Sequence, residues 1–401
     1  MVDTQFLQSP QWLAILGISI VAVVCRSIWV HKPEPWTRAA TPVPIPKPSS
    51  GGQPELSADA YYHIDALEDL DLENEEPLKI RPFKAKYYLT MAIENITAND
   101  LLAMDKTYAT RIRLRKQLIR DHHDEVLAWN PIITPAVFEL YQYFISTYLP
   151  RRFPTVYTLQ KNSLLNHVTS ESLPLTPSST EDALQILGSN IDDDLLLLLP
   201  IEDGVDKGKY ALQGFVTCFP SGFATREKLG LKLADIHGPV PGYASKLEKS
   251  MDRFFASLPV GKVVKRHNWG ITTDDRLFAT SGNHMSEAEH SDRTSGPSPE
   301  NGGGVEDDSN VDLRQVFLRT ERQTLHRLPE TGAILFAFKT YQYGLEEVRD
   351  EGNGEALAEA IEGLGTGNVP GMRVYKREVV WGEKVKAFLR GEVGIDGKPA
   401  S

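Results

Sequence analysis

Cysteine is scarce in this chain: its 401 residues include only Cys25 and Cys218. Two thiols exclude a disulfide framework, and they are too few for a zinc or iron–sulfur site that needs several thiolate ligands. Positive charge is also in short supply, since 43 Lys and Arg residues stand against 54 Asp and Glu residues and give a formal net charge of −11. Nucleic-acid binding requires a basic surface for phosphates, so we expect no nucleic-acid partner.

The rest of the composition is typical of an ordinary globular protein. Hydrophobic residues make up 41% of the chain and charged residues 24%. A chain of this length can bury a sizeable hydrophobic core and exceeds one average domain. We therefore expect one large folded part with additional segments.

Long apolar runs are rare as well, and the one that stands out covers residues 12–30. Arg26 is its only charged residue, and Trp12 and Trp29 flank it as interfacial aromatic residues do. Basic residues follow the run rather than precede it, unlike in a cleaved signal peptide, which predicts that the remainder faces the cytosol. Residues 1–31 are therefore predicted to form one transmembrane anchor, in the endoplasmic reticulum or another endomembrane.

The segment after the anchor is predicted to be a linker. Residues 32–57 are rich in proline, serine and glycine, and residues 65–76 form an acidic run. Such sequences favour an extended, solvated chain over a packed core. We therefore predict a linker over residues 32–79 and a folded domain over residues 80–401. A stretch rich in Ser, Gly, Glu, Asp and Pro predicts a disordered insertion at about 279–312.

Secondary-structure patterns in the folded part indicate the α+β class. Residues 195–199 and 210–219 are β-rich runs separated by a polar turn, which favours an antiparallel hairpin, although the leucine run would also fit a short buried helix. Residues 243–258 have helical apolar spacing, and so do residues 105–130. We therefore expect an antiparallel sheet with flanking helices.

The first motif that suggests a binding site covers residues 228–243, KLGLKLADIHGPVPGY. The prolines and glycines after His237 fix a turn-rich path that neither a helix nor a central strand tolerates. An imidazole on a stiff loop suits an axial ligand of a metal or a haem iron. The alternative is a structural histidine whose ring binds a nearby carbonyl group.

The second motif covers residues 316–329, VFLRTERQTLHRLP. In an extended chain Arg319, Glu321 and Gln323 share one face, whereas Arg322 points to the other. Guanidinium groups of Arg319, Arg322 and Arg327 could pair with the carboxylates of a dianionic cofactor. A structural ion-pair network at a sheet end explains the same residues equally well.

Together these motifs resemble a known family. Residues 228–243, Asn268-Trp269 and residues 318–329 resemble the catalytic α-subunit of haem-dependent oxidative N-demethylase and its fungal relatives, in order and approximate spacing from about residue 80 to 341. The resemblance implies a PAS-like α+β domain that binds haem b, with His237 as the iron ligand and Arg319, Arg322 and Gln323 as further cofactor-binding residues. It assigns no catalytic residue.

The resemblance also implies an activity and partners. The expected reaction is oxidation of a small N-methylated amine by O₂, with release of formaldehyde. Electrons would come from flavin and iron–sulfur subunits. Because this chain lacks cysteines for a cluster and a Gly-rich dinucleotide motif after a strand, the reductase must be a separate protein.

Two other functions remain open at this point. PAS-like folds also serve as non-enzymatic haem or small-ligand sensors, since fold does not determine function. A membrane-anchored glycosyltransferase would need an acidic metal-binding motif, for which Asp192-Asp193-Asp194 is the candidate, although a solvated turn is the expected role of these aspartates.

Overall fold

The computed structural model describes residues 58–295 and 311–400. It confirms the α+β class: a large antiparallel sheet is flanked by helices, and a small sheet lies apart from it. The predicted transmembrane anchor at residues 1–31 lies outside the described residues. Within the described ranges, no helix is both long and apolar enough to cross a membrane.

The strands occupy the following ranges: β1 Glu94–Ile96, β2 Leu127–Trp129, β3 Tyr157–Leu159, β4 Ser163–Asn166, β5 Glu171–Pro174, β6 Asp194–Pro200, β7 Tyr210–Val216, β8 Val263–Thr272, β9 Phe317–Arg327 and β10 Ile334–Gly344. The seven-stranded sheet has the order β1-β8-β9-β10-β6-β7-β2, and the three-stranded sheet has the order β3-β4-β5. The leucine run forms strand β6, so the predicted β6–β7 hairpin is confirmed and the helical alternative is wrong.

The helices occupy the following ranges: α1 Ala58–Tyr61, α2 Tyr108–Asp121, α3 His123–Val126, α4 Thr134–Tyr143, α5 Leu149–Arg152, α6 Thr180–Gly188, α7 Leu233–Ile236, α8 Tyr243–Lys246, α9 Glu248–Ser257, α10 Glu287–Ser295, α11 Leu345–Val348, α12 Gly354–Thr366, α13 Met372–Tyr375 and α14 Glu378–Leu389. Helices α12 and α14, near the C-terminus, bury a shared apolar cluster that includes Leu357, Ile361, Trp381 and Phe388.

Strand register decides which side chains share a face of the large sheet. Residues directly opposite each other on neighbouring strands point to the same side. Arg266 is opposite Gln323 and Asn268 is opposite Glu321, while Leu325 is opposite Phe336 on β10. Phe336 in turn is opposite Leu196 on β6. We call this side the Arg266 face; its central members are Leu196, Arg266, Asn268, Arg319, Glu321, Gln323 and Phe336.

The opposite side carries the alternate residues, and we call it the Arg322 face. Its central members are His267, Arg322, His326, Lys339 and Tyr341. The N-terminal part of the domain packs on this face. Tyr61 of α1 is 1% exposed, and its hydroxyl lies 3.1 Å from Nε2 of His326.

A buried charge network lies on the Arg322 face. Nζ of Lys339 is 2.8 Å from Oδ2 of Asp105 and 3.2 Å from Oδ2 of Asp192. A second buried pair lies at the start of β6, where NH1 of Arg115 on α2 is 2.6 Å from Oδ1 of Asp194; register places Asp194 opposite Phe338, on the other side of the sheet from Lys339. The expectation that Asp192, Asp193 and Asp194 form a solvated turn is therefore wrong, because they are 7%, 1% and 1% exposed and two of them neutralise buried cations.

Packed structure also begins before residue 80. Residues 58–79 were assigned to a linker, yet Leu70 as well as Tyr61 is buried against the main hydrophobic core. The backbone N–H of Leu67 donates to the carbonyl of Arg152. Within the predicted insertion, Ala279 and Met285 are buried and helix α10 follows; the later part of that insertion, residues 296–310, lies outside the described residues.

The charge network leads to a stability prediction for Lys339→Met. Burial alone lowers the pKa of Lys339, but Asp192 and Asp105 raise it above its ordinary value, so the ammonium is charged at neutral pH. Its removal leaves buried carboxylates without a counter-charge, and we expect a loss of about 3–5 kcal/mol in unfolding free energy, measured by chemical denaturation. The loss should shrink in acid, where those carboxylates protonate. Lys398→Met, at an exposed position, is the control, and equal effects of both variants would contradict the prediction.

Candidate functional site

His237 lies at the C-terminal end of α7, over the Arg266 face. Leu231 and Gly230 exchange backbone hydrogen bonds with Leu212 of β7, which fixes the entry to this helix. Ile236 packs against the apolar cluster of Ala128 on β2 and Leu212 and Phe215 on β7. The motif of residues 228–243 is therefore held directly against the sheet.

The tautomer of His237 follows from its hydrogen bond. Nδ1 lies 2.8 Å from the carbonyl oxygen of Leu233. A carbonyl oxygen can only accept, so Nδ1 must carry the proton and, in the neutral ring, Nε2 keeps a free lone pair. Nε2 has no hydrogen-bond partner among the described residues. A histidine oriented in this way by a backbone carbonyl is arranged as metal-ligating histidines are.

The surroundings of His237 keep its ring neutral and still. Burial lowers the pKa of His237 below its usual value of 6.5, the hydrogen bond to Leu233 opposes this, and the charges of Lys228 and Arg266 lower it further. The ring stacks on Tyr243, with centroids 4.8 Å apart and an interplanar angle of 11°. A neutral, immobilised imidazole is the form that can bind iron.

The loop after His237 depends on one glycine. Gly242 has φ +74°, a left-handed conformation, and an added Cβ would lie 2.8 Å from Cγ2 of Val369. Glycine therefore satisfies both the backbone conformation and the close approach of residue 369. This contact ties the histidine loop to the C-terminal helices.

Four polar residues line the middle of the Arg266 face. Nε2 of Gln323 donates to Oε2 of Glu321 at 2.7 Å, and Nδ2 of Asn268 lies 3.5 Å from the same oxygen. Glu321 and Gln323 are 8% and 7% exposed. Oε1 of Gln323 and Nε of Arg266 are buried without a hydrogen-bond partner among the described residues. These two buried atoms therefore have hydrogen-bonding capacity that no described protein group uses.

Lys376, directly after α13, adds another cation to this cluster. Its ammonium donates to the carbonyl of Trp269 and lies 3.4 Å from Oδ1 of Asn268. Burial lowers its pKa to about 8, although the charge of Glu321 acts in the opposite direction. Cations therefore outnumber carboxylates around Glu321, since Arg266 and Arg319 also act on it.

The predicted cofactor-binding residues separate into two groups. Gln323 and Arg319 lie on the Arg266 face with His237. Arg319, however, donates from NH2 to the carbonyl of Phe219 at 2.7 Å and from NH1 to the carbonyls of Arg276 and Leu277, each at 3.2 Å. Its guanidinium therefore holds two loops in place, and only its Nε lacks a partner within the described structure.

Arg322 does not share the site with His237. It lies on the Arg322 face and donates to the carbonyls of Asp100 and Leu101. Arg327 is also fully engaged, with bonds to the carbonyls of Leu258 and Phe255 and to the hydroxyl of Tyr210. Both arginines therefore have structural roles, through bonds to backbone carbonyls and not through the ion-pair network considered from the sequence.

The sequence analysis missed Arg266, Lys376 and Lys228 as site residues. Arg266 precedes the Asn268-Trp269 motif by two positions, so the period of a strand would have placed it beside Asn268. Lys228 begins the first motif, and its Nζ lies 3.3 Å from the carbonyl of Ile236. Lys376 lies outside every motif, and nothing in the local sequence indicates its position.

The residues present fit a haem group. Nε2 of His237 would hold the iron, and Lys228 would supply positive charge beside it for a propionate. Leu196 and Phe336, on central strands of the Arg266 face, remain half-buried and offer an apolar surface to the ring. No cluster of three or more His, Cys, Asp or Glu side chains suited to a metal ion occurs in the described ranges.

A separate surface groove of about 770 Å³ lies between α2, α6 and β5. Its lining includes Lys116, Glu171 and Asp182 and none of the residues around His237. Lys116 and Glu171 form an ion pair across it. The groove therefore contains none of the chemistry that distinguishes the Arg266 face.

Gly242→Ala tests how the histidine loop is held. We expect the free energy of unfolding to fall by about 1–3 kcal/mol, because alanine both strains the left-handed backbone and contacts Val369. Gly204→Ala is the matched control, since Gly204 has φ +81° and open space around it. Thermal unfolding of the two variants should show the larger decrease for Gly242→Ala. Equal decreases would mean that the contact with Val369 contributes nothing.

Comparison with known protein families agrees with this geometry. The family model described as "haem-dependent oxidative N-demethylase, alpha subunit-like" matches residues 92–386, well over half of the chain. The match includes His237, the whole Arg266 face and Lys376. The chain belongs to the haem-dependent oxidative N-demethylase alpha subunit-like family.

Proposed function

We propose that this protein is a haem b oxidoreductase that removes a methyl group from a small N-methylated amine. The observation that carries the proposal is the orientation of His237, whose Nδ1 is committed to the Leu233 carbonyl while Nε2 has no partner in the described structure. Family membership supports haem dependence and an oxidative reaction. The antiparallel sheet with β6–β7 beside β10, β9 and β8 supports the PAS-like arrangement.

The overall reaction balances with O₂ and an external reductant. An N–CH₃ group, O₂, two electrons and two protons give N–H, formaldehyde and water. When bound, haem would supply O₂ binding and the oxidising chemistry. The two electrons require a separate flavin and iron–sulfur reductase, since two cysteines cannot hold a cluster.

The protein's own residues would bind and orient the haem and the amine. His237 would hold the iron through Nε2, and its neutral ring requires no proton loss on binding. Lys228, half-buried beside it, would pair with a propionate. Glu321, Gln323 and Asn268 form a polar surface for the amine, and Leu196 and Phe336 exclude water from one side. Attachment to an endomembrane through residues 1–31, with the domain in the cytosol, is part of the same proposal.

A haem-binding sensor is the second candidate, because the same histidine geometry would serve it. Amine-dependent formaldehyde release in the presence of O₂ and an electron donor would separate the two functions. The glycosyltransferase alternative loses its support, since Asp192 and Asp194 are already paired with Lys339 and Arg115.

His237→Ala should abolish axial ligation of haem. The full chain, reconstituted with haem, should show a Soret band that this variant loses or shifts. His267→Ala is the matched control, because His267 is also half-buried but lies on the Arg322 face. A wild-type chain without a Soret band would refute the haem proposal, and an unchanged spectrum in His237→Ala would reject this ligand.

The lowered pKa of His237 predicts the pH dependence of ligation. A proton competes with iron for Nε2, so ligation should be complete above the pKa and lost as the pH falls through it. Because the pKa lies below the ordinary 6.5, the haem spectrum should stay constant from about pH 8 down to 6.5 and change only in more acid solution. A spectral titration with its midpoint above 6.5 would contradict this.

A further inference from the structure

The guanidinium of Arg266 is a charged group on the Arg266 face that has no hydrogen-bond partner in the described structure. It is half-buried, it makes no hydrogen bond to any described residue, and its Nε is buried without a partner. By contrast, each of the three arginines on the neighbouring strand β9 donates to backbone carbonyls. A half-buried guanidinium without partners in a native structure indicates a ligand, and its fork suits a carboxylate.

Unused hydrogen-bond acceptors lie close to Arg266. Gln323 is directly opposite it, and Oε1 of Gln323 is buried without a donor from the described structure. Glu321 is the diagonal neighbour, at about 7–8 Å on the sheet surface. Its Oε2 accepts from Gln323 and Asn268, whereas no described donor reaches Oε1. The amide and the carboxylate are therefore placed to accept N–H groups from a ligand.

The charge balance selects the ligand class. Glu321 is the carboxylate that acts on both Arg266 and Lys376, whereas Arg319 also has Asp194 and Asp274 near it, so positive charge is in excess around Arg266 and Lys376. A ligand whose only charged group is an ammonium ion would be repelled by the excess positive charge. A zwitterion would place its carboxylate beside the cations and its N–H group beside the acceptor oxygens of Gln323 and Glu321. The separation of the two charges in an α-amino acid is short enough to bridge diagonal neighbours on a sheet.

Resting on the function proposed above, we propose that Arg266, Gln323 and Glu321 form a subsite for a small N-methylated amino acid, with the carboxylate on Arg266 and the methylated nitrogen on Glu321 and Gln323. This assigns the amine of the reaction to the zwitterionic class. The same guanidinium could instead receive a haem propionate, and the experiment separates these two sources of carboxylate.

The test compares ligands on the wild-type full chain by calorimetry, with and without bound haem. N,N-dimethylglycine should bind about tenfold or more tightly than its methyl ester or dimethylammonium chloride, since only the free acid offers a carboxylate. This comparison needs no variant and so does not depend on whether a variant folds. Equal affinities for the three probes, or no binding of N,N-dimethylglycine to either form, would overturn the proposal.

Variants then assign the two ends of the ligand. Arg266→Gln should erase the preference for the free acid while leaving haem affinity and the Soret band unchanged. Glu321→Gln should weaken N,N-dimethylglycine and dimethylammonium alike. Lys265→Gln, next to Arg266 but on the Arg322 face, is the control and should change nothing. If Arg266→Gln instead loses haem and keeps the ligand preference, the guanidinium binds a propionate and the proposal is wrong.

The outcome is distinguishable from failure of the proposed function. A chain that takes up no haem refutes the haem function, yet the calorimetry on the haem-free form still decides the subsite. A chain that binds haem through His237 but shows no preference for the free acid keeps the function and loses the subsite.

Discussion

The register of β8 on β9 is the constraint on which the rest of the site depends. It places Arg266 opposite Gln323 and Asn268 opposite Glu321, and it sends His267 and Arg322 to the other side. A shift of one residue would exchange the two sets completely. Both faces of β9 are buried, so apolar alternation alone does not fix this register. Polar anchors fix it: Arg322 holds the carbonyls of Asp100 and Leu101 on one side, and Arg319 holds Phe219 and Pro220 on the other.

The same sheet carries two polar clusters whose cations are paired differently. On the Arg322 face, Lys339 has two carboxylate partners at salt-bridge distance. On the Arg266 face, Arg266 makes no hydrogen bond to a described residue, and Oε1 of Gln323 is buried without a donor from the described structure. Unpartnered buried atoms alone do not separate the clusters, since the carboxylate of Asp193 and Nδ1 of His326 also lack partners in the described ranges. The pairing of the cation separates a group that stabilises the fold from one arranged to receive a ligand.

Sequence patterns identified the faces of the strands and the loop after His237, and there are physical reasons for what they missed. The strand period correctly separates Arg322 from Arg319 and Gln323, and the proline and glycine residues after His237 do form a fixed loop. Lys376 and Asp105 reach their partners from positions distant in the chain, and no local pattern encodes such contacts. The aspartates before β6 resembled a solvated turn because their counter-charges, Lys339 and Arg115, come from other elements. The substrate-facing role of Arg266 depends on its lack of a partner, which only the packed structure can show.

The contact between Tyr61 and His326 has a consequence for where the folded protein starts. Burial lowers the pKa of His326 to about 3, so the ring is neutral, and Tyr61 is its hydrogen-bond partner while Nδ1 has none in the described structure. The Tyr61 ring also lies 4.3 Å from that of Tyr143 on α4. A chain shortened to begin at residue 80 would leave a cavity the size of a tyrosine above the sheet and a histidine with both nitrogens unpaired. Residues 58–79, which precede the predicted start of the domain, are thus part of its core.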